Sequence, residues 1–270
     1  MMDVQGIREY WGRERLTDAI FESLAAAGKN LDALTIDDLT ATDQFHSGGK
    51  PATLRLARLA APKPGTRVLD VGGGFGGPAR TLAVEFGCDV TSLDLTESYV
   101  RAAEALTAKL RLGDRVRHRV GNALDLPFEP GSFDMVWTQN SGMNIADKET
   151  LYAGFHRVVR PGGRLAIQEP MAGPGGPAIY PVMWAREASA SFLRAPEAMR
   201  TLIERTRFRL VSWDDITDEA AGPSTGAAVP AHSIQRIVMG DEHLEAIRGA
   251  GERNRLERRI VMIQAVFDRA

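Results

Sequence analysis

The hydrophobic pattern changes about a quarter of the way along the chain. In residues 1–60 the apolar positions, such as Ile20 and Leu24, recur at near-helical spacing, and a polar, glycine-containing turn at 43–49 interrupts them. Beyond this point short apolar runs begin to alternate with segments of helical period. The pattern therefore predicts a helical N-terminal extension over 1–60 and a main domain over 61–270.

Within the main domain the short apolar runs have the length and composition of buried strands, and helical segments separate most of them. This alternation predicts β-α-β units and a mainly parallel sheet, whose strands end at one ligand-binding edge. Insertions are expected at about 172–195, which is rich in Pro, Gly and aromatic residues, and at about 218–258. The predicted strands are Val68–Val71, Val90–Leu95, Val116–Val120, Phe133–Trp137, Leu165–Ile167, Phe208–Trp213 and Ile260–Phe267.

Composition narrows the class of protein. Hydrophobic residues make up 44% and charged residues 25% of 270, which is the ordinary globular balance. The net charge of −2 provides no basic field, so a nucleic-acid partner is not expected. The single cysteine, Cys88, excludes an intramolecular disulfide and favours a reducing cytoplasm. Residues 1–15 lack the apolar stretch of a signal peptide, and no run approaches the roughly 18 apolar residues of a membrane span.

A glycine-rich turn at 72–77 follows the first predicted strand and precedes a helix. Glycines let the backbone turn sharply and approach a ligand, and the helix start offers free N–H groups. Two cofactor patterns fit the turn. The glycines from Gly72 onward satisfy the dinucleotide pattern G-x-G-x-x-G. Together with Asp70 they also satisfy D-x-G-x-G-x-G, the pattern of S-adenosylmethionine (SAM) enzymes.

Two further features favour SAM over a nicotinamide dinucleotide, and a third, Asp94, supports a nucleoside without discriminating between the two cofactors. The carboxylate of Asp70 would repel a pyrophosphate but suits the ammonium group of a methionine moiety. Asp94 ends the second strand, where a carboxylate can accept hydrogen bonds from both ribose hydroxyls of either cofactor. After the third strand, Asn122 and the N–H of Ala123 can read the edge of adenine while Leu124 packs on its ring.

With these motifs the sequence resembles the class I SAM-dependent methyltransferases. It is similar to the small-molecule branch that includes sarcosine/dimethylglycine N-methyltransferases and quinone-ring C-methyltransferases. The resemblance covers roughly residues 40–215 and the terminal strand. It rests on five motifs in the family's order. They are Val68–Gly76, Leu93-Asp94, Asn122-Ala123 with Leu126–Phe128, Phe133–Trp137 and Arg160–Leu165.

The resemblance implies an α/β, Rossmann-like fold. Its seven-stranded mixed sheet would have six parallel strands and an antiparallel last strand, with helices on both faces. The cofactor would be SAM, and the product S-adenosylhomocysteine (SAH). Many relatives have Asp where this chain has Asn122, whose carbonyl can still accept from the adenine amino group. The residues expected to hold the cofactor are Asp70, Gly72, Gly73, Gly74, Gly76, Asp94, Leu95, Asn122, Ala123, Leu124 and Gln139.

The acceptor site is less well defined by the sequence. His46, in the turn that folds over the cofactor in this family, is the candidate general base; alternatively it bonds a backbone carbonyl and pins the turn. The aromatic residues could form a wall or simply pack in the core, and the asparagines could orient substrate or make local turn bonds. No two histidines have metal-ligand spacing, so no metal is expected. The candidate substrate contacts are Tyr10, Trp11, His46, Asn140, Met143, Asn144, Tyr180, Met183, Trp184 and Phe192.

The sequence therefore predicts a SAM-dependent methyltransferase acting on a small molecule by in-line displacement. A nicotinamide-dependent oxidoreductase is disfavoured by Asp70 and by the missing second catalytic domain. A catalytically silent SAM-binding scaffold is disfavoured by the complete motif set. The acceptor atom, nitrogen, oxygen or carbon, is left open. A homodimer formed through the helical segments 1–60 and 218–258 is also compatible with the sequence.

Overall fold

A computed structural model describes residues 15–221 and 233–270. Its strands are β1 (Arg67–Val71), β2 (Asp89–Asp94), β3 (Val116–Val120), β4 (Phe133–Gln139), β5 (Val159–Ala172), β6 (Phe208–Asp215) and β7 (Ile260–Arg269). They form one sheet in the order β3-β2-β1-β4-β5-β7-β6. Strand β7 runs antiparallel to both of its neighbours, and the pairs from β3 to β5 are parallel. The expected sheet of six parallel strands and a reversed last strand is confirmed.

Helices cover both faces of this sheet. One face packs against α6 and α7 through a cluster that includes Phe155 and Ile203, and the other packs against α3 and α4 through Leu56 and Leu82. The described helices are α1 (Leu16–Ala26), α2 (Ile36–Asp43), α3 (Gly49–Ala60), α4 (Gly77–Phe86), α5 (Glu97–Lys109), α6 (Lys148–Val158), α7 (Pro196–Arg205), α8 (Thr217–Ala221), α9 (Ile234–Met239) and α10 (Asp241–Leu256). None of them has the length and apolar character that a bilayer crossing requires.

The N-terminal helices lie beside the edge of the sheet where its parallel strands end. Ile20 of α1 and Leu39 of α2 pack with Phe75 of the glycine turn and with Leu106 of α5 in one apolar cluster. Strand β1 pairs in parallel with β2 on one side and with β4 on the other, so successive strands are added on opposite sides of β1. Such a switch point opens a crevice between the adjacent loops.

Several element boundaries differ from the sequence prediction. The fifth strand, predicted at Leu165–Ile167, extends from Val159 to Ala172 because β7 pairs with it from Arg164 through Ala172. Helix α3 begins at Gly49 rather than at Pro51, since Gly48 adopts φ +78° and turns the chain into the helix. Tyr10 and Trp11 lie outside the described residues.

Candidate cofactor and acceptor site

The glycine turn between β1 and α4 is shaped by conformation and by space. Gly72, Gly74 and Gly76 have φ values of +74°, +54° and +76°, which residues with side chains rarely adopt. A Cβ at Gly72 would lie 2.3 Å from Cβ of Ser141, and one at Gly73 would lie 2.0 Å from Oγ of Ser92. At Gly74 a Cβ would meet no atom within 4 Å. The turn is therefore packed tightly on its protein side and open on the other.

Asp70, at the end of β1, is a buried carboxylate whose Oδ2 has no hydrogen-bond partner. Burial, together with the smaller effect of the neighbouring charge of Asp94, raises the pKa of Asp70 to about 7. Buried polar groups are normally paired, so an unpaired carboxylate oxygen beside a glycine turn is a functional candidate. Its chemistry suits a cationic ligand group such as the ammonium of a methionine moiety.

Asp94 lies across the turn from Asp70 at the end of β2. Its Oδ2 accepts a hydrogen bond of 2.9 Å from the N–H of Gly74, and its Oδ1 accepts one of 2.8 Å from the N–H of Thr96. Burial raises the pKa of Asp94. These two bonds fix the carboxylate, and each oxygen keeps a second lone pair. The geometry therefore suits the two hydroxyls of a ribose.

The segment after β3 forms a local turn in which Oδ1 of Asn122 accepts a 3.0 Å hydrogen bond from the N–H of Leu124. The same oxygen retains one lone pair for a ligand donor. Three aromatic residues that the sequence analysis did not select also line this part of the cavity: Phe45, Phe75 and Tyr99. The ring centroids of Phe45 and Phe75 are 5.9 Å apart, and those of Phe75 and Tyr99 are 4.4 Å apart.

A cavity of about 1330 Å³ joins these groups with the acceptor side. Most of the predicted site residues line it, but Gly76, Tyr180 and Phe192 do not. Gly76 instead is the N-cap residue of α4, and Tyr180 packs against an apolar cluster whose members Met143 and Trp184 line the cavity. Phe192 donates its N–H to the carbonyl oxygen of Met143. The predicted residues that line the cavity are His46, Asp70, Gly72, Gly73, Gly74, Asp94, Leu95, Asn122, Ala123, Leu124, Gln139, Asn140, Met143, Asn144, Met183 and Trp184.

Both ring nitrogens of His46 contact protein atoms. Nδ1 lies 3.1 Å from the carbonyl oxygen of Ser47, and Nε2 lies 3.0 Å from Oε1 of Gln44 and 3.0 Å from Oγ1 of Thr53. Burial lowers the pKa of His46 to about 4, so the ring is neutral near pH 7. These contacts hold the turn between α2 and α3. They favour a positioning role over that of a general base.

Three buried glutamines form a row across β4, β5 and β7. Gln139 and Gln264 both donate to Oε1 of Gln168, over 3.1 and 2.8 Å. Gln168 in turn donates to the carbonyl oxygen of Ser47 over 2.8 Å, which joins the row to the turn that carries His46. Strand pairing places the three side chains at one register position, which the sequence alone does not show. It fixes Gln139 where that residue lines the cavity.

A second buried link connects this turn to the glycine turn. Arg80 of α4 and Asp43 at the end of α2 are both buried and form an ion pair of 3.0 Å. The same guanidinium group donates to the carbonyl oxygen of Phe75 and, over 3.0 Å, to Oγ1 of Thr107. Arg80 therefore holds the helical extension, the glycine turn and α5 in one arrangement.

The turn after β4 rests on another pair of buried charges. Glu169 accepts hydrogen bonds from the N–H groups of Gly142, at 2.9 Å, and Ser141, at 3.3 Å. Lys148 donates to the carbonyl oxygens of Gly142 and Ile145. Burial raises the pKa of Glu169 and lowers that of Lys148 to about 8. These bonds shape the wall between the cofactor and acceptor sides. Within 15–221 and 233–270, no three His, Cys, Asp or Glu residues are grouped as metal ligands would be.

Comparison with known proteins agrees with this geometry. Residues 69–167 match the family described as "Methyltransferase domain". Over 173 residues the chain is 40% identical to tocopherol O-methyltransferase of Arabidopsis thaliana, covering 60% of this chain and 48% of that protein. It is 32% identical over 133 residues to glycine/sarcosine/dimethylglycine N-methyltransferase of Actinopolyspora halophila, covering 49% of this chain and 24% of that one. The chain thus spans a quarter to about half the length of these relatives.

A similar fold is found in geranyl diphosphate C-methyltransferase of Streptomyces coelicolor, whose structure contains S-adenosyl-L-homocysteine. The TM-score is 0.70 at 20% identity, and the match covers 99% of this chain and 98% of that one. The strand order, the reversed β7 and the glycine turn define a Rossmann-like methyltransferase fold. Residues 69–167 match the methyltransferase domain family, and the resemblance drawn from the sequence motifs is confirmed.

Proposed function

We propose that the protein transfers a methyl group from SAM to a small-molecule acceptor. The observation that carries this proposal is the unpaired carboxylate oxygen of Asp70 between an open glycine turn and the fixed carboxylate of Asp94. A cationic ammonium group and a ribose diol are the two ligand groups that this arrangement would bind. A pyrophosphate would instead face two carboxylates.

Each part of the cofactor has a matching group in the chain. Asp70 would bind the ammonium group, Asp94 the ribose hydroxyls, and the turn at Asn122 the adenine. Gln139 accepts from Nε1 of Trp137 over 2.9 Å and donates one N–H to Gln168, so its second N–H can face the methionine part. The polar groups that line the site therefore match the parts of SAM in chemical character.

The bound sulfonium would supply both the methyl group and its own leaving group. The protein's task is then to align the acceptor with that methyl and to exclude water, and positioning of this kind contributes roughly 7–11 kcal/mol to catalysis. The braced turn around His46 and the wall at Ser141–Asn144 would provide this alignment. An amine or carbanion-like acceptor needs no strong base. Relatives with N-, O- and C-methyltransferase names leave the acceptor atom open.

Isothermal titration with SAM, SAH and NAD tests the proposal. We expect SAM and SAH to bind and NAD not to bind. Asp94→Ala should lose most of the SAM affinity, whereas Asp114→Asn, at an exposed carboxylate, should retain it. Binding of NAD alone would indicate the oxidoreductase. A second assay follows transfer of label from methyl-labelled SAM into metabolite extracts; tight SAM binding without any labelled product would indicate a silent scaffold.

The compartment, the domain division and the oligomeric state of the protein are also predicted from its sequence. Cys88 is buried, and burial raises the pKa of its thiol to about 11, which is consistent with a free thiol in a reducing, cytoplasmic compartment. The division into a helical lid at 1–60 and a cofactor domain at 61–270 is a further prediction. So are a homodimer and the absence of a nucleic-acid partner. Size-exclusion chromatography with light scattering would measure the oligomeric state.

A further inference from the structure

The acceptor side of the cavity lies between α10 and the start of β7. Ile260 and Met262 of β7 form one wall, which Met143 and Trp184 continue. Opposite them, α10 contributes Leu244, Ile247 and Gly251 to the same cavity. Leu244, Ile247 and Gly251 lie three and four residues apart, so they share one face of the helix.

Three polar residues that line this half of the cavity, Asn144, Asn254 and Thr217, have hydrogen bonds inside the protein. Asn144 donates to the carbonyl oxygens of Trp184, at 2.9 Å, and Ala190, at 3.1 Å. Asn254 accepts from the N–H of Ile179 over 2.8 Å and donates to its carbonyl oxygen over 2.7 Å.

The hydroxyl of Thr217 is engaged in the same way. It donates to Oδ1 of Asp215 and accepts a 2.9 Å hydrogen bond from the N–H of Met262. Because these donors already have partners, the interior offers mainly apolar contact to a ligand. The charged residues of α10 that border the cavity are Glu245, Arg248 and Glu252, which are exposed and carry both signs, and the half-buried Arg255. Arg255 forms an ion pair of 3.1 Å with Asp218, while its Nε has no hydrogen-bond partner among the described residues.

Gly251 is an unusual residue for its position. It lies inside the 16-residue helix α10, where glycine is a weaker helix former than any residue except proline. A Cβ there would meet no atom within 4 Å, so close packing does not require the glycine. Its φ lies outside the left-handed range, so backbone conformation does not require it either. The missing side chain leaves open space in the cavity wall.

We propose that this half of the cavity takes an acceptor with a bulky, mainly apolar body, and that Gly251 determines how large that body can be. The inference rests on the proposed methyl-transfer function, because it assigns the acceptor of that reaction. It makes Gly251 a specificity-determining residue. The apolar body would lie between Ile247 and Met262.

A series of 4-alkylphenols, from 4-methylphenol to 4-octylphenol, tests the inference by calorimetry on protein saturated with SAH. Each methylene that becomes buried should tighten binding about two- to fourfold until the space is filled. Gly251→Leu should remove this gain for the longer members while leaving SAH affinity unchanged. Gly251→Ala, which favours the helix, should reduce the gain for the longest members only. Ala246→Leu, on the exposed face of α10, is the matched control and should behave as wild type.

The outcomes separate the two proposals. Binding that does not depend on chain length, or an unchanged series in both Gly251 variants, would overturn the inference while SAH binding left the proposed function standing. Failure of SAH itself to bind would overturn the proposed function and this inference with it. Thermal melting of each variant shows whether it is folded, and Gly251→Ala keeps the test decisive if Gly251→Leu does not fold.

Discussion

Replacing Asp70 by asparagine should stabilise the protein and weaken cofactor binding at the same time. The substitution preserves the shape of the side chain and removes a buried negative charge. Asp70 has a pKa of about 7 in the folded protein, against an ordinary value of 3.8. Because the folded state holds this proton more tightly than the unfolded state, the free energy of unfolding decreases as the pH rises from about 4 to about 7.

The size of this effect follows from the two pKa values. At 1.36 kcal/mol per pH unit, the buried charge costs about 4 kcal/mol at pH 8 and about 2 kcal/mol at pH 5. The amide of asparagine leaves a buried donor unpaired. This costs about 1–3 kcal/mol at every pH and offsets part of the stability gained by removing the charge. The sharper quantity is therefore the pH dependence. The free energy of unfolding of Asp70→Asn, relative to that of wild type, should be about 2–3 kcal/mol higher at pH 8 than at pH 5.

Urea unfolding of both proteins at pH 5, 6, 7 and 8 measures this difference, with Asp114→Asn as the exposed control. A stability difference between Asp70→Asn and wild type that is the same at every pH would refute the reasoning. Calorimetry should show SAH affinity falling at least tenfold in Asp70→Asn, because a charge-assisted hydrogen bond is lost. In the wild type, SAH affinity should rise between pH 6 and 8 as Asp70 becomes ionised. A flat profile would remove Asp70 from the ammonium site.

Three further substitutions test other parts of the site. Asp94→Ala should lower SAM affinity at least tenfold while thermal melting shows the fold intact; unchanged affinity would remove Asp94 from the site. His46→Ala should lower turnover and SAM affinity together, because the ring holds its turn in place. A loss of turnover alone would instead support a role for His46 as the general base. Arg80→Met should cost about 3–5 kcal/mol in urea unfolding, because Asp43 is left buried and unpaired, and adding Asp43→Leu should recover part of it. No recovery in the double variant would argue against the ion pair.

The sheet and the cofactor side could be predicted because their signals are local. A strand, a glycine turn and a helix are contiguous in sequence, and Asp70 and Asp94 each end a predicted strand. Parallel strands share one edge for their carboxyl ends, so these residues converge without knowledge of side-chain packing. The reversed β7 was expected from the family resemblance alone, and the order of the strands comes from the structure.

The acceptor side could not be predicted in the same way because its residues come from separate segments. Gly251 and Met262 line one cavity only because α10 packs against β7, and no local pattern marks that arrangement. Phe45, Phe75 and Tyr99 likewise come together only through tertiary packing. Tyr180 and Phe192 have the aromatic character expected of a cavity wall, yet they lie outside it. Composition identifies such an insertion but does not determine which side of it faces the ligand.

The position of β7 has a consequence for how the chain folds during synthesis. β7 lies between β5 and β6, although it is made after both. Until β7 leaves the ribosome, β6 has no neighbour in the sheet and the outer side of β5 is an open edge. Such an edge can recruit other chains. Nascent protein stalled before residue 260 should therefore aggregate more readily than protein synthesised through β7. The last quarter of translation is then a stage at which the chain is prone to aggregation.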